Sequence, residues 1–177
     1  MKKTILITGS ESFVASFLIK NLKKRYNIIG IDFLKKSKKT KKTNFNIDIR
    51  KPFLEKLKKI KVDYIIHLAA VSNDNDAKKN PVNCFETNVI GTLNMLDFAN
   101  KKNVKNFIFA STQWVYDFSS KKNYQVNNKT IIDPFNVESE YGLSKLISEV
   151  NIKQNHIKHS LNSTILRFGI IYGPRLK

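Results

Sequence analysis

Residues 3–32 read KTILITGSESFVASFLIKNLKKRYNIIGID, and the fold is decided there. The run 3–8 is short, apolar and closed by Gly9, the pattern of a strand buried on both faces. Residues 12–25 carry apolar side chains at 13, 14, 17, 18 and 22, the spacing of a helix with one buried stripe. Residues 26–31, YNIIGI, form a second short apolar run, closed by Asp32. Strand, helix and strand in succession make a βαβ unit.

Outward from this unit the alternation continues. Residues 43–47 predict a short third strand, and 52–61 a helix whose proline is tolerated in the first turn. The run 62–69, VDYIIHLA, is a strong buried strand. Residues 81–102 space Val82, Phe85, Val89, Leu93, Leu96 and Ala99 as one long helix. A strand at 104–110, a polar loop at 117–137, a helix at 139–159 and a strand at 163–168 complete the chain. Strands alternating with helices imply an α/β protein: a doubly wound parallel sheet of Rossmann type.

The 177 residues suit one domain, 1–177, with 41% hydrophobic and 11% aromatic residues, enough for a core and against disorder. No apolar run approaches the ~18–20 residues of a bilayer span. The one cysteine, Cys84, excludes an internal disulfide and any cysteine-based zinc site. The net charge is +18, but 28 of the 32 basic residues are lysine and asparagine occurs 20 times. Nucleic-acid sites favour the bidentate fork of arginine. The lysines, densest at 35–42, therefore read as a composition bias on a solvated surface. A cytoplasmic protein with no nucleic-acid partner and no membrane partner is expected.

The first βα turn of a Rossmann fold places three small residues at fixed offsets, so that a diphosphate can rest on the helix N-terminus. Here they are Gly9, Ser12 and Ala15. Ser12 adds a side chain where the phosphate approaches, and a plain helix cap would also explain it. Asp32 ends the second strand at the spacing where an acid binds the ribose hydroxyls of NAD and repels the extra phosphate of NADP. Asp48 and Ile49, after the third strand, stand where the adenine would be flanked. Tyr141 and Lys145 form a Tyr-x-x-x-Lys pair on one helix face. A neighbouring ammonium lowers a phenol's pKa, so that the tyrosine can exchange a proton with a substrate hydroxyl. Ser111 and Thr112 add hydroxyls at a strand's carboxyl end, where open α/β sheets bind ligands.

Eight pieces in this order carry a resemblance over essentially the whole chain: Thr8-Gly9 with Phe13; Asp32; Asp48-Ile49; His67-Leu-Ala-Ala70; Asn88 with Gly91-Thr92; Ser111-Thr112 with Val115-Tyr116; Tyr141 with Lys145; and Arg167-Phe-Gly with Tyr172-Gly-Pro174. The chain resembles the extended short-chain dehydrogenase/reductases, the NAD-dependent sugar epimerase/dehydratase group typified by UDP-glucose 4-epimerase. The resemblance implies Tyr141 as acid/base, Lys145 as its pKa-lowering partner and Thr112 as the catalytic hydroxyl. It implies NAD as cofactor, held by Gly9, Ser12, Phe13, Val14, Asp32, Asp48, Ile49, Leu68, Ala69, Ala70, Asn88, Tyr141 and Lys145, with no metal. His67 reads as packed at the strand end rather than catalytic.

The implied reaction removes a proton from a sugar hydroxyl of a nucleotide sugar and passes hydride to the nicotinamide, as in an epimerase or a related dehydrogenase. Dehydratases of this type usually follow the threonine with Asp-Glu; Gln113 and Trp114 stand here, and neither is an acid. Family members continue well past the equivalent of Lys177, so the C-terminal substrate domain is expected to be missing. A non-catalytic dinucleotide-binding module on the same fold is the alternative reading. A homodimer is compatible with either.

Overall fold

The computed structural model describes residues 2–33, 44–116, 130 and 132–174; the lysine run at 35–42, position 43 and most of the loop read at 117–137 lie outside the described residues. Six strands form one parallel sheet: β1 (Thr4–Thr8), β2 (Asn27–Asp32), β3 (Asn44–Asn46), β4 (Tyr64–His67), β5 (Asn106–Thr112) and β6 (Ser163–Phe168). Their order is β3-β2-β1-β4-β5-β6, and every pairing is parallel. The chain starts in the middle, builds outward to β3, then crosses back to β4. The order reverses between β1 and β4, so the connections leaving these two strands diverge and open a crevice at their carboxyl ends.

Side chains alternate across each strand and feed two cores. Ile5 and Ile7 of β1 pack with Ala15, Ile19 and Leu22 of helix α1 (Phe13–Leu22) on one face. Leu6 faces the other side with Ile31, Ile65, Phe107 and Phe109, covered by Met95, Leu96 and Phe98 of helix α4 (Gly91–Lys101) and Ile152 of helix α5 (Glu140–His159). Burial on both faces is why these strands read as unbroken apolar runs.

Two expectations are revised. The long helix expected at 81–102 is three pieces: α3 (Pro81–Phe85), a π-helical turn at Glu86–Ile90, and α4. The wider turn shifts the buried stripe and carries Asn88 into the interior, 1% exposed. The helix expected at 52–61 is one 3-10 turn, Leu54–Leu57, with Phe53 and Leu57 buried and Leu54 and Ile60 packed partly buried against the same core. A short helix α2 (Asp74–Lys79) was not anticipated: apart from Ala77 its DNDAKK sequence has no apolar face, and it is held by the Asn73 cap and by opposite charges at its two ends.

Two glycines set how closely elements approach. Gly9 is left-handed (φ +64°), and a Cβ there would lie 2.9 Å from the backbone nitrogen of Ala69. Gly142, in the first turn of α5, packs on the turn Gln113–Val115, where a Cβ would overlap the Trp114 carbonyl. We predict that Gly142→Ala destabilises by about 1–3 kcal/mol, because overpacking against backbone outweighs the ~1 kcal/mol helix advantage of alanine. Urea denaturation measures it; a stabilised variant would refute this packing.

Candidate functional site

At the carboxyl ends of the strands lies one continuous cleft of about 1080 Å³. Every residue expected at the site lines it except Asn88. At its β1–β2 end, Ser12 caps α1, its Oγ accepting from the Ala15 N–H at 3.3 Å. The serine side chain is thus held by the helix it starts, and no acidic residue occupies the first turn of α1. The helix N-terminus keeps its positive end for an anion. Asp32 emerges from β2 beside it and accepts from the Glu11 N–H at 3.0 Å, so the acid is tied to the glycine turn.

The loop after β4 is bent onto this turn. The Thr8 hydroxyl, fully buried, accepts from the N–H groups of Leu68 (3.0 Å) and Ala69 (2.9 Å). That draws Leu68, Ala69 and Ala70 along the cleft floor, with small side chains where space is tightest. Phe13 and Val14 line the opposite wall, Phe13 meeting Phe17 edge-on at 5.2 Å. Asp48 lines the cleft too, but its carboxylate is clamped by Arg50 at 2.8–3.1 Å, which holds its pKa below the usual range. Arg50 also donates to Asn83 at 2.7 Å and itself lines the cleft. Sequence reasoning passed over this arginine, although Asp-x-Arg after a strand is the available signal.

Asn88 stands apart from its expectation. Its Oδ1 accepts from the Val71 N–H at 2.9 Å, and its Nδ2 donates to the Val71 carbonyl at 3.0 Å and to the Ser144 hydroxyl at 2.8 Å. It is not among the cleft's lining residues; it braces the cleft from behind. The reason is the π turn, which points it at α5.

At the other end stand Thr112, Tyr141 and Lys145. Thr112 is buried at the tip of β5, caps the Gln113–Val115 turn and lines the cleft beside Tyr141. Burial raises the Tyr141 pKa, with the Thr112 hydroxyl opposing. The expected lowering by Lys145 is absent from this arrangement. The Lys145 ammonium, 3% exposed, donates to the Ala110 carbonyl at 2.8 Å and sits 4.6 Å from the Phe109 ring centre. Burial brings Lys145 down to about 8.

One turn further along α5, Glu149 accepts from Ser111 and from the Nε and Nη2 of Arg167 (2.6–3.2 Å), pinning the helix to β5 and β6. The spacing from Tyr141 through Lys145 to Glu149 was the sequence signal for that contact. Among the described residues no three His, Cys, Asp or Glu side chains gather as metal ligands, and no helix is long and apolar enough to cross a membrane.

The comparisons follow this geometry. A protein of Methanocaldococcus jannaschii, whose name gives UDP-glucose 4-epimerase as its provisional activity, is 34% identical over 97% of this chain and 57% of its own length. UDP-glucuronic acid decarboxylase 5 of Arabidopsis thaliana is 32% identical over 97% of this chain and 52% of its own. Among solved structures, UDP-glucose 4-epimerase of Thermotoga maritima with UDP-glucose superposes with a TM-score of 0.88 at 26% identity, covering 98% of this chain and 58% of that one. The chain thus spans about half the length of the relatives it matches. The profile of the NAD dependent epimerase/dehydratase family matches residues 5–177, from the first strand of the sheet past the catalytic-type helix. A Rossmann sheet, the Tyr-x-x-x-Lys pair at its carboxyl edge and this match together place the chain in the NAD dependent epimerase/dehydratase family.

Proposed function

We propose that this chain is the dinucleotide-binding and proton-transferring part of a NAD-dependent nucleotide-sugar epimerase or a closely related dehydrogenase. One observation carries the reading: a single cleft has an acid and a glycine turn at one end and the Thr112–Tyr141–Lys145 group at the other. The residues suit the dinucleotide. Only Gly9 permits the close turn at Ala69, the first turn of α1 faces the cleft with no acidic residue of its own, and Asp32 offers a carboxylate for a ribose diol. Gly9, Ser12, Phe13, Val14, Asp32, Asp48, Ile49 and Leu68 to Ala70 would hold the cofactor, with Lys145 and Tyr141 at its nicotinamide end. The nicotinamide supplies the hydride acceptor and donor.

Tyr141 does the proton work. At pH 7 it is a phenol, as any tyrosine is and the more so for its burial, so it starts as the acid that can protonate a keto oxygen when hydride is delivered. In the oxidising direction the phenol must first lose its own proton to solvent; the phenolate would then take the proton of a substrate hydroxyl that Thr112 beside it can orient. Lys145 stays mostly charged below about pH 8 and puts a positive charge at the nicotinamide end of the cleft, one helical turn from Tyr141. Among the described residues the acids lining the cleft, Glu11, Asp32, Asp48 and Asp76, all lie on segments before β5, and Gln113 and Trp114 follow Thr112. That supports oxidation and reduction of a carbinol over elimination of water, which needs a further acid.

The test measures NAD(H) and NADP(H) binding by calorimetry, then turnover of UDP-sugars by this chain joined to the C-terminal half of a full-length relative. Tighter NAD(H) binding is expected, weakened in Asp32→Ala by the ~1.5–3 kcal/mol of a charged hydrogen bond. Turnover should fall about 10²–10⁴-fold in Tyr141→Phe. Preference for NADP(H), or turnover indifferent to Tyr141, would contradict the reading.

Lys145 also makes a pH prediction. Its pKa falls from 10.5 in the unfolded chain to about 8 when buried. Between these values the unfolded chain holds the extra proton, so this group's contribution to stability rises with pH from about 8 to 10.5. The stability difference between the chain and Lys145→Met should grow in the chain's favour across that window. A difference flat with pH would show that the ammonium is not buried.

A further inference from the structure

Behind the cleft runs a line of buried polar groups that the proposed chemistry leaves unused. Thr8, His67, Thr92 and Ser148 are fully buried, and Asn88 is 1% exposed. The His67 Nδ1 lies 2.6 Å from the Thr8 hydroxyl and its Nε2 lies 3.0 Å from the Thr92 hydroxyl. Thr92 donates to the Asn88 carbonyl, and the Ser148 hydroxyl, with one proton, lies 2.8 Å from both that carbonyl and the Ser144 carbonyl. The Asn88 amide donates to Ser144, whose hydroxyl in turn donates to the Tyr141 carbonyl at 2.8 Å.

Counting protons fixes the roles around the histidine. Thr92 has one hydroxyl proton and gives it to Asn88, so toward His67 it accepts, and Nε2 carries the ring proton. Nδ1 is then an acceptor and takes the Thr8 proton, while the Thr8 oxygen accepts from Leu68 and Ala69. Thr8, His67 and Thr92 are each satisfied, and only in one direction. Reversing the ring would leave Thr92 with two acceptors to serve and one proton. The ring is neutral here, pushed down to about 3 by burial and by the nearby Lys145 charge.

None of His67, Thr92, Asn88, Ser144 and Ser148 lines the cleft, yet the line begins at the strand that carries the Gly9 turn and ends on α5 on either side of Lys145. We propose that His67, Thr92 and Asn88 are positioning residues, a one-directional hydrogen-bonded connector that sets the Tyr141–Lys145 helix against the glycine turn and so couples the two ends of the cleft. The proposal rests on the reading that the cleft binds a dinucleotide at one end and moves a proton at Tyr141. A buried network with every member satisfied specifies one arrangement, and a broken one is costly. That is the property needed to hold two distant groups in register.

Thr92 separates this role from bulk stability. Thr92→Val keeps the volume and removes the hydroxyl; Thr92→Ser loses a methyl and keeps it. The phenol of Tyr141 is titrated by ultraviolet difference spectroscopy against Tyr141→Phe in each background, and NAD(H) affinity and urea stability are measured alongside. The valine variant should shift the phenol titration by half a unit or more toward its ordinary value as water reaches a loosened helix, and weaken NAD(H) about tenfold. The serine variant should titrate and bind within twofold of the unchanged chain. Nitrogen NMR of His67 in the unaltered chain should find a neutral Nε2–H ring down to pH 5, a readout that needs no variant to fold. A Nδ1–H or charged ring, equal behaviour of the two variants, or changes that track urea stability alone would overturn the proposal. If the unaltered chain binds no NAD(H) while the ring state and phenol shifts appear as expected, the dinucleotide reading fails and the connector stands.

Discussion

The backbone of Gly9 lies so close to that of Ala69 that no side chain fits between them, and one hydroxyl, that of Thr8, holds the two loops together through the N–H groups of Leu68 and Ala69. Everything at the cleft follows from this contact. It sits at the point where the sheet order reverses, so the loops that should diverge are pinned at their roots and part only above. The helix N-terminus, the acid ending β2 and the small residues after β4 then face one space. A larger residue at position 9 would move the floor of that space away from its wall.

The far end of the cleft is held by different means. Helix α5 carries Tyr141, Lys145 and Glu149 on successive turns, and each meets a separate fixed partner: Thr112, the Ala110 carbonyl, and the Ser111–Arg167 pair. Burying the Lys145 ammonium costs free energy, since its pKa is driven down by desolvation. A carbonyl, an aromatic face and a nearby carboxylate offset part of that cost. A cation kept charged at neutral pH in a dry pocket is a strong field source, which is the use the proposed chemistry makes of it.

How much of this could be read from sequence depended on the range of the interactions. The strands were plain because Ile5–Ile7, Ile28–Ile31 and Phe107–Phe109 are apolar on both faces. Asp32, Gly9, Tyr141 and Lys145 were found because local spacing alone brings them to strand ends or one helix face. Asn88 was assigned to the cleft, and the π turn that removes it leaves no mark in the apolar pattern of Phe85, Val89 and Leu93. Its partners Val71 and Ser144 lie 17 and 56 residues away, and no periodicity encodes them. The same holds for Lys145. Its spacing from Tyr141 was readable, but the Ala110 carbonyl that takes its proton-bearing end belongs to a strand 35 residues earlier. The phenol's raised pKa follows from its own burial against distant segments, which no local spacing encodes.

The central claim is that one cleft, from Asp32 to Lys145, is the dinucleotide site. The most direct measurement is a titration of the nitrogen-labelled chain with NAD(H), following backbone amide resonances residue by residue. The account predicts shifts at Gly9 to Val14, at Asp32, at Leu68 to Val71 and around Thr112, Tyr141 and Lys145, with the strand starts at Lys3, Asn27, Asp63 and Lys105 unmoved. Shifts centred on those strand starts, or confined to one end of the cleft at saturation, would contradict it.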